Sequence, residues 1–416
     1  MYSLYRALTV CFAPFLPLLL RLRLAKGKED ASRMNERLGH AVRVRPTDKI
    51  LWVHASSMGE SASALPLIEA FLKQRPNWQV LVTSVTLTSA RMLAEKLPTG
   101  ALHQFAPLDE PTAIARFLER WQPDAALWVE SELWPNMAIM TAATGCPMFL
   151  ANARLSERSF KRWKLAKPLF LQIMACFKGI YPQSAVDAER FAALGAENSE
   201  MLGNLKYDVP ALTADTTALK ALTATIGKRP VWLAASTHAG EEAQILAAHR
   251  ILKGLIPDIL TIIVPRHAVR GAEVAAIIRA EGCQTAIRSA YETILPQTEV
   301  YLADTMGELG LFYRLCPVAF IGGSLVPHGG QNVLEAAKLG CAIIIGMHTH
   351  NFAVICQEFV EAQACYQIEN AALLAEKVGM LLSNATTRKN LTDAAAKVVA
   401  RHGGVMAQLL TKLEGV

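Results

Sequence analysis

KILWVHASSMGESASALPLIEAF, residues 49–71, opens on an unbroken apolar run, Ile50, Leu51, Trp52 and Val53. A strand with one wet face alternates apolar and polar residues, so an unbroken run predicts a strand covered on both faces, as in a parallel sheet. "HASSMGES" interrupts the run, and apolar residues resume with helical spacing at Leu65, Leu67, Ile68 and Phe71. The reading is strand, tight turn, helix, with Gly59 and Glu60 at the turn. Open α/β sheets collect ligands at the carboxyl ends of their strands, and a helix N-terminus stabilises negative charge. Glu60 therefore reads either as a first-turn acid supporting its helix or as a base facing a cleft.

Outward from this stretch the alternation continues. Residues 78–84 and 102–106 read as strands, with helices at 88–97 and, after Pro111, at 111–121. Residues 124–129 form a fourth strand ending in "ESELWPN", which puts Glu130 and Glu132 at a strand end; 147–150, 179–181 and 200–202 read as later strands. Regular βα alternation predicts a doubly wound, mostly parallel sheet. "NARLSERSFKRWKLAKPLF" then carries Arg154, Arg158, Lys161, Arg162, Lys164 and Lys167 among aromatic residues, either a solvated helix face or a surface for anionic lipid. "GNLKYD", with Lys206, precedes a polar stretch that marks the connection to a second domain.

The second half repeats the theme. "PVWLAASTHAGEEAQIL" is strand, turn and helix with Ser236 and His238 at the turn, and "LTIIVPRHAVR" ends a strand in Arg266 and His267, donors suited to oxyanions. "VYLADTMGE" leads through Met306, Gly307 and Glu308 into a helix. "VAFIGGSLVPHGGQNVLEAA" places Gly322, Gly323, Gly329 and Gly330 before a helix beginning near Gln331 and Asn332, where backbone approaches a ligand closely and N–H groups meet anions. Neither a P-loop nor a dinucleotide fingerprint occurs.

The chain has 416 residues, 52% hydrophobic and 19% charged, which fits two globular domains. Its eight cysteines are scattered singly, which points to a reducing compartment and away from a structural metal. Residues 1–50 carry ten Lys/Arg against four Asp/Glu and so hold the whole net charge of +6. An apolar run from Ala7 to Leu20, broken by Pro14 and Pro17, is followed by Arg21, Arg23, Lys26 and Lys28. An uncleaved membrane anchor with its basic flank on the cytoplasmic side fits best, and nucleic acid is the less fitting partner because no motif that reads it accompanies the charge.

Taken together, "HASSMGE", "ESELWPN", "NARLS", "GNLKYD", "PRHAVR", "DTMGELG" and "GGSLVPHGGQNVLEAA" resemble, in this order, the Kdo transferases. These are the 3-deoxy-D-manno-octulosonic acid transferases of lipopolysaccharide assembly in Gram-negative bacteria. The resemblance implies an α/β GT-B glycosyltransferase fold: two Rossmann-like doubly wound domains facing a central cleft, with an N-terminal membrane-anchoring segment. It divides the chain into an anchor at 1–24, an acceptor domain at 25–208, a linker at 209–228 and a CMP-sugar domain at 229–416. It implies inverting transfer of Kdo from CMP-Kdo to a lipid A precursor at the cytoplasmic side of the inner membrane, beside its anionic lipids.

By the same resemblance, Glu60 is the catalytic base, and Glu130 and Lys206 support the transition state. Arg266, His267, Met306, Gly307, Glu308, Asn332, Val333, Leu334 and Glu335 bind CMP. Ser57, Gly59, Arg154, Ser236, His238, Gly323 and Ser324 are further candidate contacts for donor or acceptor. No cofactor and no obligatory metal are expected. Two alternatives stay open: a membrane-associated GT-B enzyme using a different nucleotide sugar, and a non-catalytic nucleotide-binding scaffold.

Overall fold

The computed structural model describes residues 1–130 and 132–416. They form two compact units, residues Met1–Val209 with Gly403–Val416, and Pro210–His402.

In the first unit, β1 (Lys49–His54), β2 (Trp78–Ser84), β3 (Ala101–Phe105), β4 (Ala125–Val129), β5 (Met148–Ala153) and β6 (Phe177–Pro182) form one parallel sheet in the order β3-β2-β1-β4-β5-β6. The opening apolar run shows why. Ile50 and Trp52 pack on one face with Ala126 and Trp128, while Leu51 and Val53 pack on the other with Leu127 and Val129. Successive side chains point to opposite faces, and helices cover both, so neither parity can be polar. Residues 200–202 are not a strand; only an isolated bridge joins Ile180 and Ser199 there.

The second unit has a seven-stranded parallel sheet: β7 (Val231–Thr237), β8 (Leu260–Pro265), β9 (Thr285–Ile287), β10 (Val300–Leu302), β11 (Val318–Ile321), β12 (Ala342–Ile345) and β13 (Cys365–Gln367). Its order is β13-β12-β11-β7-β8-β10-β9. In both sheets the first strand is central, and the chain winds outward on one side before returning to the other. The crevice where the winding reverses lies between β1 and β4 in one sheet and between β7 and β11 in the other, and such crevices are where doubly wound folds bind ligands.

Two boundaries differ from the sequence reading. Residues 209–228 are not a bare linker, because they contain the helix Thr216–Ile226, which belongs to the second unit and buries Leu222 and Ile226. The final helix, Val405–Lys412, does not continue the second domain. Val405, Leu409, Leu410 and Leu413 are buried in the core of the first unit beside Leu65, Ile68 and Phe71. Asp208 accepts the Gly404 N–H at 2.7 Å, and Arg75 donates to the Leu413 carbonyl at 3.1 Å.

The N-terminal segment Tyr2–Ala25 is a 24-residue helical stretch, long and apolar enough to cross a membrane. Pro14 and Pro17 are absorbed by a 3-10 turn at Ala13–Phe15 and by the first turn of the following helix. The stretch is fastened to the first unit at both ends. The Tyr5 hydroxyl donates to Asp109 at 2.7 Å, and Asn136 donates to the Thr9 hydroxyl at 2.9 Å. Arg23 pairs with Glu29 at 2.7 Å, and Glu29 pairs with the buried Arg37 at 3.0 Å. Leu4, Leu8, Phe12, Phe15, Leu18 and Leu22 stay exposed.

Candidate functional site

Glu60 and Glu130 follow the two strands that flank the crevice of the first sheet. After β1 the chain turns into the helix Met58–Gln74, whose N-cap is Ser57. Glu60 is thus a residue of the helix's first turn rather than of the preceding loop. Its carboxylate accepts the Ser56 N–H at 2.7 Å, the Ser56 hydroxyl at 2.9 Å and the Ser57 hydroxyl at 2.9 Å. Burial first, and the charge of Glu130 second, push its pKa above the usual carboxylate range, against the pull of these bonds. Glu60 thus supports its helix and is a fixed carboxylate of raised basicity. Gly59 beside it is exposed and Ser57 half-buried.

Glu130 sits at the end of β4 with a left-handed backbone, φ 64°. A non-glycine residue there is held at a cost of about 1 kcal/mol. Its side chain receives the Lys206 ammonium at 2.9 Å, with both groups largely screened from solvent. Glu132 turns elsewhere, accepting the Trp134 indole N–H at 2.6 Å. Arg154 is half-buried just beyond β5.

Two residues of this arrangement escape a reading of the sequence. Asn152, also left-handed at φ 53°, accepts the Leu205 N–H at 3.0 Å and so fixes the segment that carries Lys206. Asp109 accepts the Met137 N–H at 2.8 Å and the Tyr5 hydroxyl. It thereby ties the N-terminal helix to the start of the helix Pro135–Ala143, five residues beyond Glu130. Asn152 lies inside a quoted motif, where the charge of its neighbour Arg154 is the more conspicuous signal. Asp109 lies outside every motif.

In the second unit the candidate residues gather at the carboxyl ends of β7, β8, β10 and β11. Arg266 and His267 follow β8. Met306 and Gly307 follow β10, Met306 well exposed. Glu308 is clamped by Arg288 at 2.6 Å, which holds its carboxyl below the usual range. Asn332 caps the helix Val333–Lys338 and donates to Glu335 at 3.4 Å. Val333 and Leu334 are buried, and the Leu334 N–H is taken by the Asn332 side chain at 3.1 Å. Ser236 is left-handed at φ 57° at the end of β7.

Gly323 and Ser324, expected as possible contacts for donor or acceptor, have their backbone N–H groups engaged inside the protein. Glu241, fully buried, accepts the backbone N–H groups of His238 at 2.9 Å, Gly323 at 2.6 Å, Ser324 at 3.0 Å and Leu325 at 2.9 Å. The Ser324 hydroxyl donates to the Ile321 carbonyl and accepts the Gly346 N–H at 2.8 Å. These glycines also serve close packing: a Cβ on Gly322 would lie 2.5 Å from the Ser236 carbonyl oxygen. The N–H groups of residues 323–325 are thus already engaged by the protein's own carboxylate. Among the described residues, no group of three His, Cys, Asp or Glu side chains is arranged to hold a metal.

Residues 32–209 match the family model of 3-deoxy-D-manno-octulosonic-acid transferases. The chain is 39% identical to a probable mitochondrial 3-deoxy-D-manno-octulosonic acid transferase of Arabidopsis thaliana, over 92% of this chain and 88% of that one. It is 34% identical to the 3-deoxy-D-manno-octulosonic acid transferase of Rickettsia bellii, over 99% of each. The C-terminal CMP-Kdo binding domain of WaaA from Acinetobacter baumannii is 35% identical, covering 44% of this chain and 96% of its own, with a TM-score of 0.43. At 13% identity, a putative UDP-N-acetylglucosamine 2-epimerase from Listeria monocytogenes covers 89% of this chain and 98% of its own with a TM-score of 0.59, a likeness of fold alone. The fold is that of GT-B glycosyltransferases, two Rossmann-like α/β domains.

Proposed function

The chain belongs to the 3-deoxy-D-manno-octulosonic acid (Kdo) transferase family, and from that premise we propose that it moves Kdo from CMP-Kdo to a lipid A precursor at a membrane surface, with Glu60 as general base. The observation that carries the assignment of the base is the buried Glu60 carboxylate, raised in pKa and fixed by Ser56 and Ser57 at the ligand crevice of its sheet. A general base works best with a pKa near the operating pH. Glu60 takes the proton of the acceptor hydroxyl as that oxygen bonds to the anomeric carbon of Kdo. The bond from that carbon to the phosphate oxygen breaks, and its electron pair leaves with CMP. One in-line displacement inverts the centre. Lys206, oriented by Glu130 and by Asn152 through the backbone of Leu205, supplies positive charge to the developing anions. Arg266, His267, the residues 306–308 and the helix start at 332–335 hold the nucleotide.

Purified protein incubated with CMP-Kdo and a lipid A precursor, with products read by mass spectrometry, tests this reading. The expected product is the acceptor heavier by one or more Kdo residues. An unchanged acceptor beside intact protein would refute it.

The acceptor is a lipid, and the apolar face of the N-terminal helix fits docking on the cytoplasmic side of the inner membrane, helped by the exposed basic helix Glu157–Leu165. Deleting residues 1–24 would also remove Tyr5 from Asp109 and Arg23 from Glu29, so replacing Leu8, Phe12, Phe15 and Leu19 by Gln is the cleaner test. This variant is expected to sediment less with anionic vesicles and to show a higher KM for the lipid acceptor, with CMP affinity unchanged. Undiminished sedimentation would count against the docking face.

A further inference from the structure

Five of the chain's ten histidines, His238, His267, His328, His348 and His350, lie on loops that follow β7, β8, β11 and β12. Two of them meet face to face. The rings of His238 and His328 stack with centroids 3.6 Å apart and planes inclined by 27°, and His267 stands edge-on to His238 at 6.1 Å. His238 follows β7 and His328 follows β11, so the stacked pair marks the crevice where the second sheet reverses its winding. The backbone is shaped for this pair. Gly323 takes a left-handed φ of 68°, and a Cβ there would lie 3.1 Å from His238 Cδ2. Gln331 Nε2 lies 3.0 Å from His238 Nε2, so the amide donates, the ring nitrogen accepts, and the ring proton sits on Nδ1.

We propose that His238 and His328 form the receptor for the carboxylate of the donor's acidic sugar. The proposal rests on the donor named above. An ulosonic acid carries its carboxylate on the anomeric carbon, the same carbon that bears the phosphate in the activated donor. The donor thus presents two anions on one atom, and two neighbouring receptors are required. Arg266 and His267 after β8 suit the phosphate. The N–H nest in the loop after β11 does not serve the second anion, because Glu241 fills it. The imidazole pair stands at the same crevice.

The surroundings fit such a role. Burial first, then the neighbouring His328, His267, Arg266 and Arg270, hold His238 down to about 4, so the site carries a neutral ring at neutral pH. A bound carboxylate opposes those cationic neighbours and makes an imidazole N–H a better donor. A metal is a poorer occupant, since stacked rings turn faces rather than nitrogens toward one another.

The test is steady-state kinetics of the full chain at one pH, with CMP-Kdo as substrate and CMP, which lacks the carboxylate, as product inhibitor. His328→Ala removes one ring of the pair and is expected to raise the KM for CMP-Kdo about ten-fold or more, the worth of one hydrogen bond to a charged group. The inhibition constant of CMP should stay within about two-fold. His238→Asn should act in the same direction, with a melting curve to show that its buried position still folds. Equal rises in both constants, or no change in either, would overturn the carboxylate assignment. Failure of the parent protein to use CMP-Kdo would overturn the function itself, and the control arm shows that separately.

Discussion

Glu60→Gln is expected to lower turnover by about 10²–10⁴-fold, the usual cost of losing a general base, while CMP binding and the fold survive. Glutamine keeps the shape of the side chain, and its oxygen can still accept the Ser56 N–H. What it loses is the capacity to take a proton. The pH dependence gives a second handle. Burial and Glu130 raise the pKa of Glu60, so the acid limb of the rate profile lies above the range of an ordinary carboxylate. Glu130→Gln removes one of the two causes and should move that limb to lower pH, whatever it does to the maximal rate. The sign for stability is also fixed. A carboxyl whose folded pKa is raised costs stability above its unfolded pKa, because folding then opposes ionisation. The neutral amide of the Glu60→Gln variant escapes that cost, so its melting temperature at neutral pH should not fall on this account. Turnover within about three-fold of the parent would remove Glu60 from the mechanism.

Truncation after His402 is expected to unfold the first unit while leaving the second largely intact. The deleted residues carry Val405, Leu409, Leu410 and Leu413, all buried in the core built on Leu65, Ile68 and Phe71. Burying each such side chain stabilises by about 1.5–3 kcal/mol. Four together amount to about 6–12 kcal/mol, comparable to the whole stability of a domain. The contacts of Asp208 and Arg75 are lost as well. Differential scanning calorimetry should show one transition lost or moved far down and another kept. Leu413→Ala, which retains the helix, should cost about 2–5 kcal/mol in the same transition. A truncated protein that melts like the parent would mean that the first core closes without these residues.

The strands of the first sheet are legible in the sequence because their chemistry is local. An apolar run buried on both faces looks alike wherever it occurs, and β1, β2 and β4 lie within a residue or two of where such runs place them. Glu60 is legible too, since a strand, a turn and a helical repeat fit within one window. What stays hidden is tertiary. Whether the N–H groups of residues 323–325 serve a ligand or a buried acid depends on Glu241, which lies 82 to 84 positions earlier. The final helix reads as part of the domain preceding it in sequence, because an amphipathic segment of eight residues states that it packs, not upon what. Asn152 and Asp109 act through hydrogen bonds to distant backbone, which leave no periodic trace.

Glu241 also bears on how inhibitors of this protein are best conceived. A glycine-rich loop after a parallel strand invites a phosphate isostere, and a phosphonate aimed at residues 323–325 would be the natural first design. Here that position is held by a tethered anion with four backbone donors, present at an effective concentration that no free ligand reaches. Such a compound would have to evict a side chain and leave its charge without partners in the protein interior. On the carboxylate assignment proposed for the imidazole pair beside it, selectivity is better sought there, with compounds that carry a carboxylate and spare this loop altogether.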